Sequence, residues 1–370
     1  MEANNLLEQL ENGLGTHGVT IKSQDGYVQY LSSYDVWYGS DGFTVNNEFC
    51  YLVQTTADFS VEITGLQANP SEHPITLATG WNRIGYPNNV HLSFNTAFSG
   101  IIPSDGDVVK SQNHGYASYM TQYNIWYGTL TDYGIDPGMG LMYKSNNGET
   151  FTFTYPESRG EEPKGNDFTE NNHWTANYHA YPNNMTVMAV VELDDVEINS
   201  EDYELAAFAN DECRGSVRLM HVAPLNRYMA FLTVAGDEAS ELRFSLYDTE
   251  TGTVETECLT TLQYETDATI GSFESPYVIC FSSTTRINEL GSRINVFPNP
   301  VARGEKVSID LTAGNFGKMR VEIINALGEV VEMVQSSSVQ TITAPEVAGV
   351  YTLRITVDGE GTCCRKLVVK

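Results

Sequence analysis

Residues 18 to 39 and 106 to 128 carry one pattern twice. Ile21-Lys22-Ser23-Gln24 matches Val109-Lys110-Ser111-Gln112, and Gly26-Tyr27 matches Gly115-Tyr116 after a one-residue insertion. Tyr34-Asp35-Val36-Trp37-Tyr38-Gly39 then matches Tyr123-Asn124-Ile125-Trp126-Tyr127-Gly128. A period of about 88 residues is too long for a stacked solenoid, so the chain reads as two tandem domains. A one-residue slip along a strand turns every side chain to the other face, so matched apolar positions require matched environments. Both copies must therefore share one fold, with Trp37 superposing on Trp126 and Tyr27 on Tyr116.

The match extends upstream, where Leu6 and Leu10 stand opposite Phe94 and Phe98 and predict a short amphipathic helix before each copy. A strand-like segment, Gly80-Trp81-Asn82-Arg83-Ile84-Gly85-Tyr86-Pro87, precedes the second helix. The corresponding stretch of the first copy would lie before Met1, so the chain is expected to begin inside a module. Its start, Met1 to Glu8, also lacks the basic and apolar regions of a secretory signal, as expected of a mature or trimmed fragment.

Each copy continues with apolar or alternating runs: Phe49 to Val53 and Phe59 to Ile63 in the first, Leu141 to Tyr143 and Phe151 to Tyr155 in the second. Both modules are thus expected to be mainly β with one short helix each, over residues 1–79 and 80–157, and the Gly80 to Pro87 strand fits either. Glu157 to Asn166 has the charge, Gly and Pro of a linker. Met185 to Leu193, Tyr203 to Ala209, Tyr228 to Val234, Leu242 to Asp248 and Tyr277 to Phe281 then read as strands of a β-sandwich at 166–284. A last module, 291–370, repeats that texture.

That last module opens Val296-Phe297-Pro298-Asn299-Pro300 and runs through Val307 to Leu311, Met319 to Ile324, Asn325-Ala326-Leu327-Gly328-Glu329-Val330-Val331 and Gly349 to Ile355. It closes with the basic strand Arg365-Lys366-Leu367-Val368-Val369-Lys370. In that order these elements resemble the C-terminal sorting domain of the Bacteroidota type IX secretion system. The resemblance implies an immunoglobulin-like sandwich, recognition by the secretion machinery, and delivery across the outer membrane to the surface or medium. The "AAFANDECRGSVR", "LRFSLYDTETG" and "GDVVKSQ" phrases look like accessory modules of large secreted Bacteroidota surface proteins, which implies no particular chemistry.

Charge separates the last module from the rest. Residues 291–370 hold nine Lys+Arg and eight Asp+Glu, while residues 1–290 hold eleven and forty, so the net charge of -28 belongs to the latter. Such a surface repels phosphate backbones and anionic headgroups, which excludes nucleic acid and membrane surfaces as natural partners. No run of eighteen apolar residues is present to span a membrane as a helix. All four Trp and twenty of twenty-one Tyr also precede residue 291, which places ligand contact there.

Six cysteines do not form a dense framework. Cys50 reads as a packed apolar residue. Cys213, Cys258 and Cys280 permit one pair, Cys213 with Cys258 or Cys280. Cys363 and Cys364 face opposite sides of a strand, one thiol buried and one exposed. No C-x-x-C pair suggests zinc.

Candidate chemistry is sparse. His173 and His179 flank Trp174 and read as surface histidines of an entry loop. Asp105 with Asp107, and Asp132 with Asp136, could ligate calcium, although neither pair follows an EF-hand spacing. No G-x-S-x-G, H-E-x-x-H, phosphate loop or Cys-His signature occurs, so no catalytic residue is singled out. The repeated Tyr-x-x-Trp-Tyr places Tyr34, Val36 and Tyr38 on one strand face and Trp37 on the other, and likewise Tyr123 and Tyr127 against Trp126. Large aromatics are mostly core, which suits Trp37 and Trp126. The candidate ligand-binding residues are Tyr34, Tyr38, Tyr123 and Tyr127, with Trp37 and Trp126 beside them. Three functions fit: a noncatalytic region binding glycan or an extracellular protein, a structural stalk between a catalytic domain and the sorting tail, and a glycosidase or peptidase with unrecognised motifs.

Overall fold

The repeated pattern folds into the same three-stranded meander twice. In the computed structural model, helix α1 (Ala3–Leu14) precedes β1 (Gly18–Lys22), β2 (Tyr27–Leu31), β3 (Val36–Gly39) and β4 (Leu52–Thr55). The second copy adds β5 (Ile75–Leu77) and β6 (Gly80–Ile84), then α2 (Phe94–Ala97), β7 (Val108–Lys110), β8 (Tyr116–Met120), β9 (Ile125–Tyr127), α3 (Thr129–Tyr133), β10 (Leu141–Ser145) and β11 (Phe151–Phe153). The first sheet runs β3-β2-β1-β4 and the second β9-β8-β7-β10-β6. Strand for strand the orders coincide, and β6 is an edge strand with no counterpart in the first sheet. The structure describes residues 3–157, 160, 162–165, 167–168, 171–282, 294–311, 318–326, 328–336, 341–357 and 361–370.

Local chemistry explains the identity. Asp35 and Asn124 close the second hairpin with φ of 54° and 53°, a left-handed conformation that short polar side chains tolerate. Each then accepts from the tyrosine hydroxyl of the preceding strand, Tyr30 in one copy and Tyr119 in the other, at 2.5 Å in the latter. A Cβ on Gly39 would lie 2.1 Å from the Tyr27 carbonyl oxygen, and one on Gly128 would lie 2.2 Å from that of Tyr116. The next residue, Ser40 or Thr129, accepts the amide of Tyr27 or Tyr116 on its hydroxyl at 3.2 and 3.3 Å.

The cores differ in size. In the first module Leu14, Ile21 and Val28 are buried, with Leu7, Leu10, Trp37, Phe43, Tyr51 and Val61 packed around them. The second gathers Phe94, Phe98, Trp126, Leu141, Tyr143, Phe153, Tyr155 and others into one larger core. Ile75 and Leu77 belong to that core because β5 pairs with β11, so the second module begins before residue 80. Phe59 to Ile63, expected as a strand, is irregular: Val61 packs against Gly13 of α1, and Gln9 holds the Thr64 amide at 2.8 Å. Helix α3 adds a second helix to a module whose patterning predicts one.

Described residues of the expected linker are docked. Glu162 accepts from the Ser93 amide at 2.8 Å, Lys164 reaches Asp136 at 2.8 Å, and a Cβ on Gly165 would lie 1.5 Å from the Asp132 carbonyl oxygen. Gly165 serves close packing, and the charges of Glu162 and Lys164 are held by partners.

The chain divides into two units, Met1–Phe168 and Thr169–Lys370. The second unit holds β12 (Asn183–Leu193), β13 (Val196–Glu197), β14 (Tyr203–Ala209), β15 (Glu212–Arg218), β16 (Met220–Val222), β17 (Arg227–Gly236), β18 (Glu241–Asp248), β19 (Val254–Glu255), β20 (Leu262–Gln263), β21 (Thr269–Ile270) and β22 (Tyr277–Phe281). One sheet is β13-β12-β17-β16, with β21 and β22 parallel to β12, and the other is β15-β14-β18-β19 with β20 on β18. Gly215 of β15 meets the Thr233 carbonyl of β17, which brings a strand of one sheet against a strand of the other. The tail contributes β23 (Ile294–Phe297), β24 (Lys306–Leu311), β25 (Met319–Ile324), β26 (Val330–Ser336), β27 (Thr341–Thr343), β28 (Gly349–Val357) and β29 (Gly361–Val369). Its sheets β23-β24-β27 and β26-β25-β28-β29 enclose a core of Val307, Ile309, Val321, Leu353, Ile355 and Leu367 among others. The molecule is mainly β throughout, as its patterning predicts.

Cysteine expectations need correction. Among the described residues Cys213 meets neither Cys258 nor Cys280: Cys213 and Cys258 lie near the carbonyls of Gly215 and Thr260, and the Cys280 sulfur stands beside that of Cys364. Cys363 and Cys364 do face opposite sides, yet both are buried, because the far face of β29 is covered by the sandwich.

Candidate surface on the first module

Strand alternation sorts the aromatic residues. In the first module Ile21, Val28, Tyr30 and Trp37 share the inner face, while Tyr27, Gln29, Val36 and Tyr38 share the outer one, since Gln29 stands opposite Tyr38 and Tyr30 opposite Trp37. Trp37 lies half-buried against Gly18, where a Cβ would fall 2.4 Å from its ring, and donates its indole N–H to the Glu11 carbonyl at 3.2 Å. Its ring meets Tyr30 at 5.7 Å between centroids. Tyr38 is 67% exposed and Tyr34 79%.

Tyr34 reaches solvent by another route than the expected strand face. It sits in the turn before β3, its amide bonded to the Leu31 carbonyl at 2.9 Å, and the left-handed Asp35 breaks the alternation between it and Val36. Tyr123 occupies the same turn position in the second copy and is also exposed.

The second copy uses the same faces differently. Trp126, 9% exposed, packs among Phe94, Tyr119 and Tyr143 at centroid distances of 5.4, 5.2 and 6.2 Å. On its outer face Tyr116, Ser118, Met120 and Lys110 are all buried and Tyr127 half-buried. Trp81 of β6 lies over Lys110, whose ammonium stands 4.5 Å from the ring centroid, and Phe168 closes on the Gly115 hairpin. The face that is open and aromatic in the first module is therefore covered in the second. Beside the β1–β2 turn, Asp25, Asp41, Phe43, Phe49 and Tyr51 line a hollow.

Three of the four acidic candidates, Asp105, Asp107 and Asp136, are occupied by the protein itself. Asp107 is fully buried and accepts from the Ser104 amide, the Tyr143 hydroxyl and the Asn146 amide at 3.0, 2.7 and 2.7 Å. Asp105 accepts from the Thr121 amide at 2.9 Å. Asp136 binds His91 at 2.9 Å, the Tyr133 hydroxyl at 2.5 Å and Lys164 at 2.8 Å. Burial raises the pKa of Asp136, but the hydrogen bonds from Lys164, Tyr133 and His91 outweigh it and bring the carboxyl to about 2. Burial raises that of Asp132. Sites filled by N–H and O–H donors offer little to a calcium ion.

The His91 and Asp136 pair escaped the sequence reading, since 45 positions separate them. It resembles half of a catalytic relay, but the His91 Nε2 is sealed from solvent, with the space beside it open only because residue 134 is glycine. His173 and His179 are exposed, as expected of an entry loop; His173 stacks on Tyr247 at 4.0 Å, and its amide and that of Trp174 are held by the buried Glu204 at 2.6 and 3.0 Å.

At the C-terminal module the Pro-Asn-Pro segment has a definite role. Asn299 donates to the Lys366 carbonyl at 2.5 Å and accepts from the Val368 amide at 2.9 Å, fastening the segment to β29. Val301 extends the contact, its amide on the Val368 carbonyl and its carbonyl under the Lys370 amide, each at 2.9 Å. The hairpin at Asn325 closes through Glu329, whose amide donates to the Asn325 side chain at 3.0 Å while Gly328 takes φ 81°.

Residues 295–370 match the family described as the secretion system C-terminal sorting domain. No curated protein matches the chain. Among solved structures it is similar to the fibronectin(III)-like modules of Clostridium thermocellum CbhA, at 11% identity over 50% of this chain and 90% of that one, with a TM-score of 0.16. Latent PorU from Porphyromonas gingivalis matches at 10% identity over 71% of this chain, which spans 29% of that protein, with a TM-score of 0.17. Bacteroides ovatus SGBP-B, solved with a mixed-linkage heptasaccharide, matches at 10% identity over 85% and 69% of the two chains, with a TM-score of 0.15. TM-scores this low carry no argument about function. The tail match rests on different ground, because the motif residues and the strands that hold them coincide with the family's span. The end of this chain is a type IX secretion sorting domain, which makes the whole a cargo carried across the outer membrane to the cell surface or the medium.

Proposed function

We propose that the exported region is a noncatalytic binding region whose first module takes uncharged glycan on its open aromatic face. The carrying observation is the contrast between copies: the face bearing Tyr27, Gln29 and Tyr38 is exposed in the first module, and its counterpart around Tyr116 and Tyr127 is covered in the second. Flat aromatic rings with polar edges stack on apolar sugar faces, while the Gln29 amide and the carboxylates of Asp25 and Asp41 offer partners to sugar hydroxyls. The negative charge of the region disfavours sulfated or sialylated ligands. Tyr123, exposed in the matching turn, is a secondary contact; Trp37 and Trp126 support the surface from inside.

Burial of Trp126 and the packing of Trp37 favour a second reading, a stalk in which these residues serve only the repeated core. A glycan array with the purified chain separates the two. Binding to neutral glycans should weaken by about 1 to 3 kcal/mol in Tyr38→Ala and Tyr34→Ala, taking base stacking on aromatics as the guide. Folding stability should change by less than about 0.5 kcal/mol in these variants. Trp126→Ala should instead cost about 3 to 5 kcal/mol of stability. An array without signal supports the stalk, and release of sugar or peptide from any ligand would refute both.

A further inference from the structure

Cys280 of β22 and Cys364 of β29 bring their sulfurs to 2.9 Å across 84 positions of sequence. The two belong to different β-structures, the sandwich and the sorting domain. Strand alternation sends Cys363 into the core of the sorting domain and Cys364 out of its opposite face. Cys364 lies beside Arg354, and Cys280 beside Glu192, as register partners within their own sheets. The two cysteines are 1% and 3% exposed. Close packing holds the surfaces together nearby, where a Cβ on Gly328 would fall 2.6 Å from the Tyr277 ring.

We infer that Cys280 and Cys364 form a disulfide in the exported protein, joining the sandwich covalently to the sorting domain. A disulfide needs its sulfurs at about 2.05 Å, so the remaining closure is under about 1 Å. Export supplies the setting, because disulfides persist in oxidising extracytoplasmic compartments. The reaction is an exchange with an oxidised protein or small-molecule disulfide. A thiolate of one cysteine attacks it to give a mixed disulfide, the other cysteine displaces the carrier, and the oxidant leaves as two thiols with the two protons. The hydrogen bond with Cys364 and burial both push the Cys280 thiol well above its usual range, so the exchange belongs to folding, before these surfaces close.

Glu192, Cys280 and Cys364 also bring ligand atoms within 4.8 Å of one another, the metal-like group found among the described residues. Structural zinc asks for four ligands, and here the Arg354 guanidinium sits close enough to act on Cys280. That cation opposes a second one and suits a neutral disulfide.

The test uses the full chain, refolded in a glutathione redox buffer, alkylated on unfolding, digested without reductant and mapped by mass spectrometry. The expected product is a Cys280 peptide joined to a Cys364 peptide, two hydrogens lighter than the separate thiols. It should be absent from Cys280→Ser and Cys364→Ser. Dithiothreitol should lower the thermal midpoint of the parent by several degrees and leave that of Cys364→Ser unchanged. Because a serine could weaken the interface, a Cys213→Ser/Cys258→Ser chain, with both partners intact, must still give the cross-link. Alkylated Cys280 and Cys364, a bond from either to another cysteine, or zinc retained by the parent and lost in Cys280→Ser would each overturn the inference.

Discussion

Asp136 shows how acidic side chains are spent in this protein. Its carboxylate gathers a buried histidine, a tyrosine and a lysine, and its pKa falls to about 2. In the unfolded chain the same group titrates near 4, at about 3.9. The depressed value means that its contribution is complete above pH of about 4 and is lost as pH falls through the folded value toward about 2. Acid titration of the melting temperature should therefore show a limb between those limits that Asp136→Asn flattens, at a cost of about 1 to 2 kcal/mol at neutral pH. An unchanged limb in the variant would show that other carboxylates carry it. The acidic residues were legible as candidates, but their partners were not. Lys164 lies 28 positions away and His91 lies 45 away, and local spacing holds no record of such pairings.

Among the elements, the two meanders offer the sharpest comparison. Gly39 and Gly128 approach the preceding strand so closely that a methyl group would meet a carbonyl oxygen in either copy. Alanine at either position should destabilise its own module by about 1 to 3 kcal/mol through overpacking. Thermal or denaturant unfolding of G39A and G128A checks this, and a tolerant Gly39 beside an intolerant Gly128 would mean that the copies are equivalent in sequence but not in packing. Strands such as Tyr203–Ala209 and Tyr277–Phe281 were legible to the residue, because a buried apolar run between turn residues has few other uses. Phe59 to Ile63 has the same texture and forms no strand, since a strand also needs a partner edge, and β5 gives one only to β11. The open aromatic face was half legible. Alternation names its residues, but that Trp81 and Phe168 cover the equivalent face of the second copy depends on distant packing.

For the whole molecule, the sorting domain is less separable than its sequence suggests. It has its own core, as has the second module of the N-terminal unit, so that unit should keep its fold when residues 291–370 are removed. The same cut uncovers Tyr277 and Cys280 of the sandwich. Calorimetry of the truncated chain should thus show an unchanged transition for the first unit and a lowered one for the sandwich. In a type IX-competent host the truncated protein should accumulate in the periplasm, and normal surface delivery would refute the sorting role.

The bond between Asn299 and the last strand has a consequence for how the protein is made. Synthesis runs from the N-terminus, and domains fold as they emerge. The Pro-Asn-Pro segment leaves the ribosome well before Lys366 and Val368, the residues it grips. A translation product that stops short of β29 has an open edge on β28 and nothing for Asn299 to hold. A chain cut before β29 should therefore lack a finished sorting domain and stay in the periplasm of a type IX-competent host, and its appearance at the surface on fractionation would refute this.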